Sequence, residues 1–103
     1  MSNKYGAVRT WSELCQRWFD SKMECRRGEE LSLLERAGEI QDLEFQIKFV
    51  LCKKPRISIT VDFSYIENGK VKYEDFKGVL MSDFRVKMAW LKEQQGIEVI
   101  LIR

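Results

Sequence analysis

Three charged side chains near the middle of the chain have the types and spacing to bind a cation or to act on a phosphate. The segment VDFSYIENGKVKYEDFKG, residues 61–78, contains two runs of alternating apolar and polar residues around an Asn-Gly pair. Acids stand within this pattern at Asp62 on the first run and Asp75 on the second, and Lys77 follows. An Asn-Gly pair between alternating runs predicts a β-hairpin with a two-residue type I′ turn.

The turn determines which residues of the hairpin lie opposite one another. With the Asn-Gly pair at its centre, the register places Asp62 directly opposite Asp75, with Lys77 further along the same face. Alternation places Glu74 on the opposite face, although a β-bulge between the strands would exchange Glu74 and Asp75. The register therefore predicts a patch of two carboxylates and one ammonium.

The opposed aspartates need a compensating interaction or water. Like charges directly across a sheet are destabilising, by roughly 0.2–1 kcal/mol per pair. A divalent ion held between the carboxylates would compensate, and hard oxygen ligands favour Mg²⁺ or Mn²⁺. The Lys77 ammonium could also compensate, and both carboxylates pointing into water is the remaining alternative.

Composition excludes several classes of protein. A chain of 103 residues with 45% apolar and 33% charged residues is expected to form one globular domain, residues 1–103. No apolar stretch is long enough for a membrane span or a secretory signal, so we expect no membrane association. The three cysteines form no Cys-x-x-Cys pair, which favours a reducing, cytoplasmic compartment.

The absence of histidine limits the available chemistry. It disfavours a zinc site and removes every Ser-His or Cys-His mechanism. Catalysis would have to use carboxylates, lysine and a metal. The net charge of +2 is too small to indicate nucleic-acid binding by itself.

The hydrophobic periodicity predicts a mixed α/β fold in the order α-β-β-β-α-β. The first helix covers residues 21–37, with an apolar stripe that includes Met23 and a capping box formed by Ser21 and Glu24. The remaining elements are a strand at 43–51, hairpin strands near 57–66 and 71–77, a helix from a cap at Ser82 or Asp83 to about Gln95, and a buried strand at 97–102.

Residues 1–20 are expected to form an N-terminal arm. Within it, Trp11, Leu14, Cys15 and Trp18 have the spacing of one helical face, and an extended conformation is the alternative. The aromatic residues of the chain mostly fall on core-facing positions, so no stacking platform for single-stranded DNA is predicted.

The chain resembles the PD-(D/E)XK nuclease superfamily. The resemblance is carried by Asp62, by the Asp75-Phe76-Lys77 triplet and by a glutamate in the preceding helix. A longer pattern, KYGA…FDSKMECRRGEELSLLERAGEIQDLEFQIKF…ITVDFSY…GKVKYEDFKG, is similar to a family of small phage-encoded members of this superfamily. Those proteins are similar in motif order to phage junction-resolving endonucleases.

This resemblance implies a restriction-endonuclease-like core and a role for each motif residue. Glu24 would be the helical acid, Asp62 and Asp75 the metal ligands and Lys77 the catalytic lysine, while the main-chain carbonyl of Phe76 would be a further ligand. Val61 stands where the superfamily name has proline. Glu24 has an alternative role as a simple helix cap.

The implied function is Mg²⁺- or Mn²⁺-dependent hydrolysis of DNA phosphodiester bonds in phage recombination, replication or genome processing, in the cytoplasm of a bacterial host. A homodimer would be needed to cut two strands. The alternatives are a non-catalytic DNA- or partner-binding module that keeps the nuclease fold, and a metal-stabilised structural protein.

Basic residues at the start of the second helix are the favoured DNA contacts. Arg85 and Lys87 follow the predicted cap, where amides and side chains could share a phosphate. Gln46, on the polar face of the first strand, is interpreted as a plain surface residue, with a position at the border of the site as the alternative. Weaker DNA-contact candidates lie in the first helix and in the basic turn: Arg26, Arg27, Lys53, Lys54 and Arg56.

Overall fold

The computed structural model describes residues 7–77 and 80–102 and shows a mixed α/β fold, which confirms the predicted class. A short hairpin precedes a helix, three long strands, a second helix and a last strand. The elements are β1 (Thr10–Ser12), β2 (Arg17–Phe19), α1 (Lys22–Arg36), β3 (Gln41–Cys52), β4 (Ile57–Glu67), β5 (Lys70–Phe76), α2 (Ser82–Gln95) and β6 (Val99–Ile102). Neither described helix has the length and apolar character needed to cross a bilayer.

The main sheet has four strands in the order β3-β4-β5-β6, in which only β5 and β6 run parallel. Asn68 and Gly69 both have positive φ, at 53° and 76°, as a type I′ turn requires. Glu67 is paired with Lys70, and the register continues without a bulge to Phe63 opposite Glu74. The predicted hairpin and its register are therefore confirmed.

Helix α1 covers one face of the main sheet, and it also makes a close contact with β2 of the short hairpin. Ser21 caps the helix by accepting a hydrogen bond from the Glu24 amide, and Gly28 lies against the ring of Phe19. A Cβ at position 28 would come within 2.6 Å of that ring, so glycine is required for this approach. The core on this side consists of Phe19, Cys25, Leu31, Ile40, Phe63 and Tyr65. Met23 was predicted to join the buried stripe, but it is exposed because the buried side of α1 begins one position later.

Helix α2 packs on a second core of Leu51, Ile59 and Leu91. The helix ends at Gly96 in the left-handed conformation, with φ of 71°, as its glycine predicts. The predicted cap at Ser82 or Asp83 is wrong, since Met81 occupies the N-cap position and both polar residues lie inside the helix.

Strand β6 was expected to be buried, and this prediction is wrong. It lies at the edge of the sheet beside β5 alone, and Ile100 is 47% exposed. Val99 packs towards α2, whereas Ile100 faces the other side of the sheet and receives no such cover. A run of four apolar residues therefore does not distinguish an edge strand from a central one.

The predicted helix between Trp11 and Trp18 is also wrong, and the extended alternative applies. The two tryptophans are cross-strand partners in the β1–β2 sheet, and Gln16 adopts φ of 55° in the connecting turn. The spacing that resembles a helical face arises here because two strands bring the same residues together across a turn. Of the predicted arm, residues 1–6 lie outside the described residues.

Candidate active site

Asp62 and Asp75 lie side by side just beyond Phe63 and Glu74, the last backbone pair of the β4–β5 ladder at this end. The Asp62 amide donates to Asp75 Oδ1 at 3.0 Å, and the Phe76 amide donates to Asp62 Oδ2 at 2.9 Å. Each carboxylate therefore accepts a main-chain donor of the other strand. This exchange fixes both side chains side by side, as the register predicts.

The second oxygen of Asp75 has no hydrogen bond. Asp75 is 1% exposed, and its Oδ2 is the one fully buried side-chain oxygen or nitrogen without a hydrogen-bond partner in residues 7–77 and 80–102. Lys77 Nζ lies 3.1 Å from this oxygen, but as an ion pair without hydrogen-bond geometry. The Lys77 ammonium offsets the charge of this oxygen, while its hydrogen-bonding positions remain unfilled, which is costly for a buried carboxylate.

Lys77 is positioned from both sides. Its ammonium contacts Asp75 and also lies 4.1 Å from the centre of the Phe84 ring in the first turn of α2. Its own amide donates to the carbonyl of Ile102 at 3.0 Å, which ties the residue to the edge strand. The first turn of α2 therefore borders the acidic pair.

Glu24 has a buried carboxylate at the start of α1. Its amide donates to Ser21 Oγ at 3.0 Å, but in the described part of the chain its carboxylate makes no return bond to the Ser21 amide. Only half of the predicted capping box forms, so the Glu24 carboxylate is not engaged as a cap.

Burial raises the pKa of Glu24 to about 8, and the nearby carboxylates of Asp62, Asp20 and Asp75 add to this effect. Burial likewise raises the pKa of Asp75, with a further contribution from Asp62 that Lys77 opposes. The pKa of Asp62 is also raised by burial, against the stabilising Phe76 amide. The predicted acids thus share one electrostatic neighbourhood that disfavours negative charge.

The acids do not form a closed cage for an ion. Within residues 7–77 and 80–102, no three or more Asp, Glu, Cys or His side chains are grouped closely enough to hold a metal. Asp75 is in direct contact with Asp62 and with Lys77. In the described part of the chain the Glu24 carboxylate makes no hydrogen bond or ion pair with them, but the charges of the two aspartates help to raise its pKa.

Gln46 is exposed, as predicted, but it also contacts the acidic pair, which agrees with the alternative that it borders the site. Its Nε2 donates to Asp62 Oδ1 at 3.1 Å. Gln46 stands opposite Asp62 in the β3–β4 register, and its φ of 55° is unusual for a non-glycine residue within a strand. A polar residue facing a predicted ligand across two strands was the signal available in the sequence.

Two further charged residues near Glu24 were not predicted for the site. Asp20 precedes the helix cap and raises the pKa of Glu24, while Arg17 on β2 lowers it. The Arg17 guanidinium lies 4.6 Å from the centre of the Phe45 ring, which fixes it on the inner side of the hairpin. Asp20 lies in the FDSKMEC part of the longer pattern but was given no role, and Arg17 lies in the segment that was interpreted as a helix.

Glu74 lies on the opposite face of β5 and is fully paired. Arg27 donates to both of its oxygens, at 2.9 and 2.8 Å, and the Tyr65 hydroxyl donates to one of them. Arg27 also contacts Glu30. The hydrogen bonds raise the pKa of Arg27, so this residue, predicted as a weak DNA contact, is a structural cation.

The favoured DNA contacts are placed around α2. Arg85 is exposed and lines a groove between α2 and β6, together with Lys92 and Val99, and Lys87 is partly buried. The remaining candidates Arg26, Lys53, Lys54 and Arg56 are exposed. In the described structure none of these residues directly contacts the acidic pair. Helix α2 comes near the pair through Phe84, whose ring faces Lys77.

The fold and the site together define a mixed α/β protein with a carboxylate pair, in which Asp75 is buried and Asp62 is half-buried, and an adjacent lysine. The chain belongs to a family described as a protein of unknown function, DUF1064, whose profile matches residues 2–99. Comparison with curated proteins and with solved structures yields no match.

Proposed function

We propose that this protein is a metal-dependent endonuclease of the PD-(D/E)XK type that hydrolyses DNA phosphodiester bonds. The observation that carries the proposal is the pairing of Asp62 with Asp75 beside Lys77, with one buried Asp75 oxygen lacking a hydrogen bond. Glu24 completes the proposed catalytic set because its pKa responds to both aspartates. The family assignment is silent on activity, so the chemistry of the site is the basis of the proposal.

The donor set fits Mg²⁺ or Mn²⁺. Asp62, Asp75 and the main-chain carbonyl of Phe76 would hold the ion, and Glu24 could reach a second one. Hard oxygen donors suit these ions, and the raised pKa values show carboxyls that would gain from a neighbouring positive charge. When bound, such an ion lowers the pKa of water and stabilises negative charge on the phosphate.

The protein groups around the ion have separate roles. Lys77 orients the attacking water or offsets charge that develops at the scissile phosphate. The Phe76 amide and Gln46 hold the two oxygens of Asp62, so that its carboxylate orientation is fixed before substrate binds. Arg85 and Lys87 remain proposed phosphate contacts from α2.

The order of elements from α1 to β6 supports a restriction-endonuclease-like core. We place the activity in phage recombination or genome processing, in the cytoplasm of a bacterial host, with branched DNA as one substrate. One site per chain cuts one strand, so cleavage of both strands would require a homodimer.

Incubation of the purified protein with supercoiled plasmid, linear duplex and four-way-junction DNA tests this function. Cleavage is expected with Mg²⁺ or Mn²⁺ and not with EDTA, and Asp75→Asn should remove it. Glu74→Gln is the matched control, because it makes the same chemical change on the other face of β5. DNA binding without cleavage under every metal condition would instead support a non-catalytic module.

A further inference from the structure

The outer face of the β1–β2 hairpin carries two exposed indoles. Trp11 and Trp18 are 41% and 48% exposed, with ring centroids 5.5 Å apart at an interplanar angle of 64°. The inner face of the same hairpin is anchored by Ser12 and Phe19, which are buried. Packing therefore accounts for the inner residues but leaves much of both indoles in water, at positions where the sequence predicted no stacking platform.

Two arginines accompany these aromatic rings. The Arg9 guanidinium lies 5.1 Å from the centre of the Trp18 ring. The Arg17 guanidinium is on the inner side of the hairpin and lies over the rings of Phe19 and Phe45. Neither arginine forms an ion pair within residues 7–77 and 80–102. Arg9 is exposed and its charge is available to a phosphate, whereas Arg17 is partly buried against the two phenylalanine rings. The Trp11 indole N–H donates to Glu13 Oε1 at 3.2 Å, and Gln16 donates to the other oxygen of Glu13. These bonds restrain the Trp11 ring at its edge.

The hairpin is connected to Glu24 by a short segment of chain. Trp18 precedes Glu24 by three residues of strand and bend and three of helix, which limits their Cα separation to about 15 Å. Arg17 and Asp20, on either side of Trp18 in the sequence, both influence the charge of Glu24. A separation of about 15 Å from Glu24 is a length that a few nucleotides of an extended DNA strand can span.

We propose that Trp11, Trp18 and Arg9 form a stacking platform for unpaired nucleotides of the DNA strand that enters the acidic site. The substrate is then single-stranded or branched DNA, because the bases of a continuous duplex are already stacked on one another. Exposed aromatic rings beside a cation bind bases of any sequence by stacking. This proposal rests on the proposed function for strand cleavage, but its binding step can be measured without cleavage.

The binding test uses the Asp75→Asn protein in EDTA, so that no strand is cut. Affinity is measured for a fluorescent oligothymidylate and for a blunt duplex of equal length. Trp18→Ala should weaken oligothymidylate binding by about fivefold to a hundredfold, the usual range for loss of one base-stacking residue. Arg9→Ala should weaken it less, and duplex affinity should stay unchanged in both variants.

Trp90→Ala is the matched control, because Trp90 is a partly exposed tryptophan on α2. It should leave oligothymidylate affinity at the starting value. Equal losses for duplex and single strand, or an equal loss for Trp90→Ala, would overturn the platform.

A second measurement keeps the native hairpin. The chain has three tryptophans, so in Trp90→Phe the indole fluorescence comes from Trp11 and Trp18 alone. Saturable quenching by oligothymidylate, without quenching by the blunt duplex, is expected. Absence of quenching at oligothymidylate concentrations that saturate binding would overturn the proposal even if Trp18→Ala does not fold.

The two proposals fail differently. Quenching without cleavage in the wild-type protein would keep the platform and remove the nuclease function. Metal-dependent cleavage that is equal on junction, single strand and duplex, and unaffected by Trp18→Ala, would keep the nuclease and remove the platform.

Discussion

Glu74 and Asp75 are adjacent acids on one strand with almost equal burial, at 3% and 1% exposure, but their surroundings differ. Glu74 faces α1, where Arg27 and Tyr65 satisfy both of its oxygens. Asp75 faces the other side, where one oxygen accepts the Asp62 amide and the other has only an ion pair with Lys77.

The contrast indicates how a structural acid differs from an acid available for chemistry. A buried carboxylate that serves only stability is expected to be paired and fully hydrogen-bonded, as Glu74 is. Asp75 is instead buried beside a second carboxylate, and its pKa is raised first by burial and then by the charge of Asp62. Such an arrangement is explained if a cation or substrate completes it.

The largest expected effect comes from removing the charge of Asp75. Asp75→Asn, and likewise Asp62→Asn, should reduce metal-dependent cleavage by about a thousandfold or more, because an ion contributes several kcal/mol to such a transition state. In metal-free buffer the thermal midpoint should stay equal or rise slightly, since the substitution relieves like-charge repulsion. Single-turnover cleavage and calorimetry measure the two quantities, and retained cleavage in Asp75→Asn would refute the site.

Lys77→Ala should lower the cleavage rate by about a hundredfold or more while DNA affinity changes little. The ammonium lies at the acidic pair and not among the exposed basic residues, so its contribution is expected in the transition state. Affinity measured in Ca²⁺ and rate measured in Mg²⁺ separate the two effects. Parallel losses in affinity and rate would make Lys77 an ordinary phosphate contact.

Glu74→Gln should show the reverse behaviour. It replaces a charged acceptor of Arg27 and Tyr65, and hydrogen bonds to charged groups contribute about 1.5–3 kcal/mol each. The free energy of unfolding should fall by about that amount, while cleavage at temperatures where the protein is folded stays within a few-fold of wild type. Urea unfolding with a cleavage assay at low temperature measures both, and a catalytic loss without a stability loss would mean that the assignment of the two acids is inverted.

The placement of Glu74 and Asp75 on opposite faces of the sheet could be predicted, because it depends only on the turn and on the alternation of side chains along a strand. The Asn-Gly turn and the alternation of a strand fix which acid lies on which face. The capping box at Ser21 could be predicted only in part, because the sequence requires the amide bond to Ser21 Oγ but not the position of the Glu24 carboxylate. That position depends on how α1 packs on the sheet.

The remaining errors come from tertiary context. Tryptophans seven residues apart fit a helical face as well as a cross-strand pair, and only the buried Phe19 with the close approach of Gly28 favours the strands. The exposure of β6 depends on its place at the edge of the sheet, which its own residues do not specify. For Gln46 the surface role was preferred over a place at the site, because one polar residue in a strand has many possible roles until its partner is known.

The stability of the metal-free protein should fall as pH rises from about 5 to about 9. The pKa of Glu24 in the folded protein is about 8, against an ordinary value of 4.5, so between these values the folded state keeps a proton that the unfolded chain has released. Stability is therefore greatest below the lower value and is lost as pH approaches the upper one.

Glu24→Gln cannot titrate at this position and should reduce this dependence, leaving the part that comes from the raised pKa values of Asp75 and Asp62. It should also lower cleavage if the carboxylate serves the metal site. Ser21→Ala is the control: it should lose about 1 kcal/mol at every pH through the missing cap and keep the wild-type slope. Urea unfolding across the pH range measures both variants. A wild-type slope in Glu24→Gln would show that another group is responsible.

The smallest expected effect concerns the support of Asp62 by Gln46. Gln46→Ala removes one hydrogen bond to an acid of the pair and should raise the Mg²⁺ concentration for half-maximal cleavage by about fivefold, corresponding to about 1 kcal/mol. The backbone at position 46 has a φ of 55°, a conformation that is unfavourable for any residue with a Cβ, including alanine, but not for glycine.

Gln46→Gly loses the same hydrogen bond and should be more stable than Gln46→Ala by about 1 kcal/mol. If the shift in Mg²⁺ dependence is equal in the two variants while their stabilities differ, the amide contact supports Asp62 directly. A shift that follows stability would instead attribute the effect to the backbone of β3.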